Sequence, residues 1–315
     1  MTTVTKNVKI SGVGMHFGLP VNMVVMPSKK PGIFFKRTDI KDSELIPATF
    51  DNVCDTMLRS TQIGEKNGAN VRTIEHLMAV LFLLGIDSAV IEIDGPEVPF
   101  LDGSAFELYK LLEKFVSDKT HMRKIVVKKT VEIKSADLIK TLPFVQRVVA
   151  KIFSRRITTD GFVKIEPYNN GLLIDAILDY NNKIIGTQSC SYIFDGSKAS
   201  VKDFVDNIAK SRSFGGYAEW EWVKKHGMGR GCNLHNVIAI NARWDATMNK
   251  LYYPDEFVRH KVIDILGDMF TAGGFLCGWV QSYKGSHALN NLLLRKLFSD
   301  KSNYEIVEQI KKSSK

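Results

Sequence analysis

The sequence predicts an α+β fold built from two similar halves. Three observations carry this. The chain opens with short alternating apolar segments separated by Gly and Pro, as strands joined by turns are. An almost continuously apolar segment, 73–84, is then closed by Gly85 and followed by an alternating segment, the order of a buried helix and a strand. The same order recurs late in the chain, where a periodic stretch over 255–270 stops at Gly273-Gly274 and an apolar strand follows.

Taken in order, strands are expected at 8–13, 21–26 and 33–36. The helix over 73–84 is apolar on nearly every side, so it must lie buried between layers, and a strand follows at 88–94. A second helix starts at Gly103-Ser104-Ala105-Phe106 and runs to about 115, before a polar linker at 117–121. The first domain is therefore set at 1–120 and the second at 121–299. In the second, strands are expected near 125–133, 162–165 and 172–179, then a helix at 201–210 capped by Ser200, whose side chain satisfies free backbone N–H groups. The 255–270 helix, the 275–283 strand and a helix over 286–298 complete it. A C-terminal helix and basic tail are expected at 300–315.

With 315 residues, 44% apolar and 24% charged, the composition is globular, and the longest apolar run, 77–86, is far short of the ~20 residues of a membrane span. The N-terminus lacks an export signal's basic start and apolar stretch, so a cytoplasmic protein is expected. Four cysteines without a C-x-x-C pair indicate neither a disulfide framework nor a zinc ribbon. The charge of +9 favours a polyanionic partner: nucleic acid, an anionic lipid surface or a phosphorylated small molecule. Nucleic acid ranks below the others, because no RNP-type strand, Cys/His finger or arginine-rich arm is present.

His260 and Asp264 stand four apart on a helix, so their side chains leave one face about 5–6 Å apart, a spacing that suits one metal ion. A catalytic zinc takes three protein ligands, and the best third is His76, whose neighbour Glu75 can act as general base on the same water. Spacing alone leaves a plainer reading open, in which each His is a satisfied helix residue and each acid a surface ion. Asp268 extends the stripe by four more residues and is placed to hold a second imidazole as its cation. His287 can be that imidazole: it begins a helix, where the dipole opposes positive charge, so it needs a carboxylate to act as proton donor. Without one it is a surface histidine.

The strings Thr73-Ile74-Glu75-His76-Leu77, Asp94-Gly95-Pro96-Glu97-Val98-Pro99-Phe100-Leu101-Asp102-Gly103-Ser104-Ala105, Asp255-Glu256-Phe257-Val258-Arg259-His260-Lys261-Val262-Ile263-Asp264 and Ser286-His287-Ala288-Leu289-Asn290-Asn291 resemble those of the UDP-3-O-acyl-N-acetylglucosamine deacetylases, zinc amidases of lipid A synthesis. The resemblance runs in the same order from Gly12-Val13-Gly14-Met15-His16 to about Leu294. It implies two domains, each a β-sheet with paired helices, with the helices sandwiched between the sheets and the active site between the domains. It also implies roles: His76, His260 and Asp264 as ligands of Zn2+, with Fe2+ as an alternative occupant in the cell, Glu75 as base, His287 as acid and Asp268 behind it. Ser213 stands where the family carries a Thr hydroxyl for the tetrahedral oxyanion. Lys261 and Phe214 match substrate contacts. Lys284 is placed to meet the sugar or diphosphate, although a solvated surface cation is the favoured reading for it. Apolar residues over 217–223 should line the acyl path.

Two departures from the family, Ser286 for a Gly and Gly216 for a Phe, bear on the shape of that path. Cys232 and His235 read as structural or incidental. The resemblance thus implies a monomeric hydrolase that removes acetate from a UDP-linked, 3-O-acylated glucosamine, with no nucleic-acid partner. The alternative, a catalytically silent nucleotide-sugar or nucleic-acid binding protein, rests on the charge alone.

One segment, about 136–159, falls outside the resemblance. Val145, Val148, Val149, Ile152 and Phe153 follow helical spacing, with Thr141 and Pro143 as starting residues and Arg147 and Lys151 opposite. This basic amphipathic helix either packs on its domain or touches the inner membrane near an acylated substrate.

Overall fold

The computed structural model describes residues 1–56, 59–118, 121–141 and 160–310. In chain order, β1 (Val8–Val13), β2 (Pro20–Pro27), β3 (Gly32–Arg37) and β4 (Ile46–Pro47) precede a small sheet of β5 (Val53–Asp55), β6 (Gln62–Gly64) and β7 (Asn70–Val71). Helix α1 (Glu75–Leu84), β8 (Ser88–Ile93) and α2 (Phe106–Leu112) follow. Then come β9 (His121–Val127), β10 (Val131–Lys134), α3 (Ser135–Thr141), β11 (Phe162–Glu166), β12 (Leu172–Asp179), β13 (Thr187–Phe194) and α4 (Lys198–Asn207). The chain continues through β14 (Ser213–Gly216), α5 (Tyr217–Lys225), β15 (Val237–Ile240), α6 (Glu256–Phe270), β16 (Phe275–Tyr283), α7 (His287–Phe298) and β17 (Tyr304–Ile310).

The expected likeness of the halves extends to topology. The first sheet has the order β1-β2-β8-β3-β4, the second β10-β11-β16-β12-β13. In each, the strand after the long buried helix enters the middle of the sheet, antiparallel to one neighbour (β2 or β11) and parallel to the other (β3 or β12). Period-2 alternation sets the buried face: Val21, Met23 and Val25 of β2 are buried, and so are Leu172, Ile174, Ala176 and Leu178 of β12.

Every residue of α1 is buried. The helix ends where Gly85 adopts φ 72°, letting its N–H reach the carbonyls of Leu81 and Phe82. Phe82 reaches the other half: its ring lies 4.7 Å from Phe194 of β13, 5.4 Å from Phe270 of α6 and 5.2 Å from Phe275 of β16. A helix attached to one sheet thus packs on elements of the second, which is why no face of it is polar.

At the crossing of α1 and α6 the chain has Gly267, and a Cβ there would stand 1.9 Å from the Glu75 carbonyl oxygen. In an open helix, Gly→Ala would gain about 1 kcal/mol. Here backbone must move instead, so Gly267→Ala is expected to destabilise by about 1–3 kcal/mol, as overpacking does. A lower thermal midpoint together with weaker metal retention checks this, since parting α1 from α6 spreads the residues they carry.

Several expectations are corrected. The region read as one strand near 125–133 is two: β9 runs parallel to β16, while β10 pairs with β11. The cap of α4 is Ser197, whose Oγ accepts from the Ser200 N–H, so the helix begins three residues earlier than expected. The C-terminal helix expected after 300 is a 3-10 turn followed by β17, which pairs antiparallel with β9. Its β-branched pair Ile306-Val307 and the otherwise open edge of β9 favour a strand over a solvated helix. Of the extra segment, the described part is α3, which covers Ser135–Thr141 and so includes Thr141, an expected starting residue of the amphipathic helix. Residues 142–159, with Pro143, Val145, Arg147 and Lys151, lie outside the described residues.

Candidate active site

Six ionisable side chains, Glu75, His76, His260, Asp264, Asp268 and His287, meet where α1, α6 and the start of α7 converge, each at most 5% exposed. Burying that many ionisable groups is costly unless they pair, share protons or bind a metal. Helix geometry delivers them: Glu75 and His76 form the first turn of α1, while His260, Asp264 and Asp268 repeat every fourth residue along α6.

His76, His260 and Asp264 present ligand atoms that all lie within 4.8 Å of one another. Nε2 of His76 is 3.6 Å and Nε2 of His260 3.4 Å from Oδ1 of Asp264. These separations are long for charge-assisted hydrogen bonds but match ligand-to-ligand edges of about 3.4 Å in a tetrahedron with bonds of about 2.1 Å. Nδ1 of His260 is 3.1 Å from the Ser211 carbonyl, so Nδ1 carries the proton and donates it there, leaving the Nε2 lone pair toward Asp264. Burial pushes His260 down to about 3, which keeps the imidazole neutral and able to ligate. Burial alone would raise Asp264, but the imidazoles and Lys261 around it hold the carboxyl well below its usual range. The donor set, two neutral imidazoles and a carboxylate, fits a divalent transition metal with an open fourth position.

On one flank, Glu75 is raised by burial, and its Oε2 accepts the backbone N–H of Thr61 at 3.0 Å. On the other, Nδ1 of His287 donates to Oδ2 of Asp268 at 2.7 Å, which directs its Nε2 toward Asp264, 3.9 Å away. Burial would lower this imidazole; the charges of Asp268, Asp264 and Glu75 and the Asp268 hydrogen bond outweigh it and push His287 up to about 9. The Asp268 carboxylate takes two further donors, Nδ2 of Asn290 at 2.8 Å and Oγ1 of Thr61 at 2.6 Å.

Ser213 and Phe214, on β14, join the cluster. Oγ of Ser213 is 3.1 Å from Nε2 of His260, and the Phe214 ring packs edge-on against Phe257 at 5.1 Å and His260 at 6.4 Å. The strand is fixed from two directions. Arg212, beside Ser213, forms a buried ion pair with Glu256 at 2.9 Å, and the Ser213 N–H donates to the carbonyl of Gly103. Gly103 itself, at φ 74°, would place a Cβ 1.8 Å from the Asn236 carbonyl, so the Asp102-Gly103-Ser104 turn is a packing element beneath the site. Lys261 donates to Oδ2 of Asp264 at 2.7 Å, with its ammonium 5.8 Å from the Phe214 ring centre. A small cleft opens onto Lys261, Asp264 and His287 from the β12 side.

Lys284 stands apart from this grouping. Its ammonium is committed to Asp160 at 2.8 Å and Asp179 at 3.2 Å and lies over the Tyr283 ring, and it does not line the cleft. Cys232 is buried against Phe100 and Val237, a packing role. Gly216 has a steric reason: a Cβ there would stand 2.9 Å from the Trp244 indole, which occupies that space. Sequence reasoning missed Thr61, the Ser211 carbonyl and the Arg212–Glu256 pair. Asn290 was within reach, since it belongs to the quoted string around His287; Thr61 carried no local signal.

No helix among the described residues is long and apolar enough to cross a membrane. The family model for UDP-3-O-acyl N-acetylglycosamine deacetylase matches residues 1–299. The UDP-3-O-acyl-N-acetylglucosamine deacetylases of Neisseria meningitidis serogroup C (strain 053442) and serogroup B (strain ATCC BAA-335 / MC58) are each 34% identical over 311 residues, covering 97% of this chain and 92% of the relative. By the length and continuity of that match, this chain belongs to the UDP-3-O-acyl-N-acetylglucosamine deacetylase family.

Proposed function

We propose that the chain hydrolyses the 2-acetamido group of a UDP-3-O-acyl-N-acetylglucosamine in lipid A biosynthesis, releasing acetate and the free amine, with Zn2+ held by His76, His260 and Asp264. The observation that carries this is the meeting of the three ligand atoms within 4.8 Å, with a buried carboxyl on one side and a carboxylate-paired imidazole on the other. When bound, the metal would supply a Lewis acid for the acetamide carbonyl and lower the pKa of water from 15.7 toward ~7. The remaining steps belong to the side chains. Glu75, its acceptor oxygen steadied by the Thr61 N–H, takes a proton from the attacking water. His287, held protonated by Asp268, gives the Nε2 proton to the departing amine. With Nε2 of His260 engaged in ligation, the Ser213 hydroxyl is free to donate to the oxyanion. Lys261 sets a cation beside Phe214 for the polar head of the substrate.

Acetate release from the acylated UDP-sugar by purified chain carrying one equivalent of zinc tests this reading. A chelator should abolish release and zinc restore it. Bound substrate without acetate release, at full zinc occupancy, would overturn it.

The proposed enzyme acts as a monomer at the cytoplasmic membrane face, where the acyl chain partitions. Support for membrane contact comes from residues 222–244, which hold four Lys or Arg and no acid. Trp222, 58% exposed on α5, sits at the start of that stretch. Tryptophan beside cations suits an anionic lipid interface. Trp222→Ala combined with Lys225→Glu should reduce co-sedimentation with phosphatidylglycerol vesicles, most at low salt, without changing zinc content. Binding equal to the parent's would exclude this surface.

A further inference from the structure

Thr61 enters the small sheet just before β6 and touches both flanks of the cluster. Its backbone N–H donates to Oε2 of Glu75 at 3.0 Å, and its hydroxyl donates to Oδ1 of Asp268 at 2.6 Å, while its Oγ1 lies 3.3 Å from Nδ1 of His287. It is 2% exposed, so water does not replace it as a donor. Three donors converge on Asp268: Asn290 and His287 on Oδ2, and Thr61 on Oδ1. Only Thr61 among them also holds the carboxyl of Glu75, from the opposite side of the site.

A carboxylate buried at the end of a helix can rotate about its terminal torsion, which is broad and roughly two-fold. The hydroxyl of Thr61 on Oδ1 fixes the tilt of the carboxylate plane, so that the other oxygen stays in line with Nδ1 of His287. The His287 ring is then fixed with Nε2 toward Asp264. We propose that Thr61 is a positioning residue for the deacetylation, a clamp that holds the Asp268–His287 pair and Glu75 in one mutual orientation. This rests on the function proposed above and adds to it a residue that neither binds metal nor exchanges a proton with substrate.

Thr61→Val keeps the shape and the backbone N–H and removes only the hydroxyl. Its expected effect is a roughly 10- to 100-fold loss in kcat, the usual consequence of deleting a supporting hydrogen bond behind a functional group. KM should stay within about twofold, because no substrate contact is lost. Thr61→Ser, which restores the hydroxyl, should recover most of kcat. Both variants should keep full zinc occupancy and a thermal midpoint close to the parent's. A parental kcat in Thr61→Val would overturn the clamp. So would equal losses in Thr61→Val and Thr61→Ser, or a loss tracking zinc content or the thermal midpoint, since each would mark a packing role. An inactive parent would instead refute the underlying function and is told apart by the parent assay alone.

Discussion

Glu75→Gln should lower turnover by roughly 10²-fold or more while leaving zinc stoichiometric, because an amide keeps the shape of the carboxylate but cannot accept a proton. The metal ligands are untouched by the change, and Gln can still accept the Thr61 N–H. The pH profile should change in kind. Glu75, raised by burial, must be ionised to act as base, so the parent loses activity as pH falls through that raised value. His287 must stay protonated, so activity also falls as pH rises through a value near 9. A dication beside both groups draws each limb to lower pH without reversing either sign. The residual activity of Glu75→Gln should lack the acid limb, and His287→Gln should lack the alkaline one. Near-parental turnover in Glu75→Gln at full zinc content would remove Glu75 from the chemistry.

Asp264→Asn should cost the metal itself. The carboxylate is the only anionic member of the ligand set, and it also compensates the Lys261 ammonium at 2.7 Å and faces His287 at 3.9 Å. An amide of equal size withdraws the negative charge from all three interactions. The loss of metal affinity should exceed the roughly 10- to 100-fold typical of outer partners. Stability should fall as well, on the order of 3–5 kcal/mol for an uncompensated buried charge, an upper figure here because the Lys261 side chain is 25% exposed. Metal analysis after gel filtration, with thermal unfolding alongside, checks both; a variant that retains one equivalent of zinc would refute Asp264 as a ligand.

The elements legible in the sequence are those whose burial pattern is local. The helix–glycine–strand order found twice, 73–94 and 255–283, gave the buried helix and the strand after it in both halves, because such elements leave clear apolar runs; that both strands are central came from the structure. β13 was missed for the converse reason: as an edge strand it buries only Tyr192 and Phe194 and reads as polar. The three strands around β6 are two or three residues long, too short for any period to register. In the site, the α6 stripe of His260, Asp264 and Asp268 was visible because one helix carries it. That His76 completes the stripe came from chemistry and resemblance, since no local spacing links residues so far apart. Thr61, the Ser211 carbonyl and the Glu256 anchor act through folded proximity alone. Lys284 shows the limit of sequence neighbourhood: it lies near His287 in the chain, yet Asp160, just before β11, and Asp179, at the end of β12, take its charge.

The placement of β16 bears on the order in which the protein can assemble as it leaves the ribosome. β16 lies between β11 and β12, both translated long before it, so until Phe275–Tyr283 emerges β10–β11 and β12–β13 are two antiparallel pairs with a gap where their shared partner belongs. The first sheet has the same arrangement over a shorter wait: β8 begins at Ser88 after β3 has ended at Arg37, whereas β16 begins only at Phe275 after β12 has ended at Asp179. A nascent chain therefore displays His76, then His260 and Asp264, before the sheet that supports α6 has closed, and its exposed strand edges at that stage are the ones a chaperone would find.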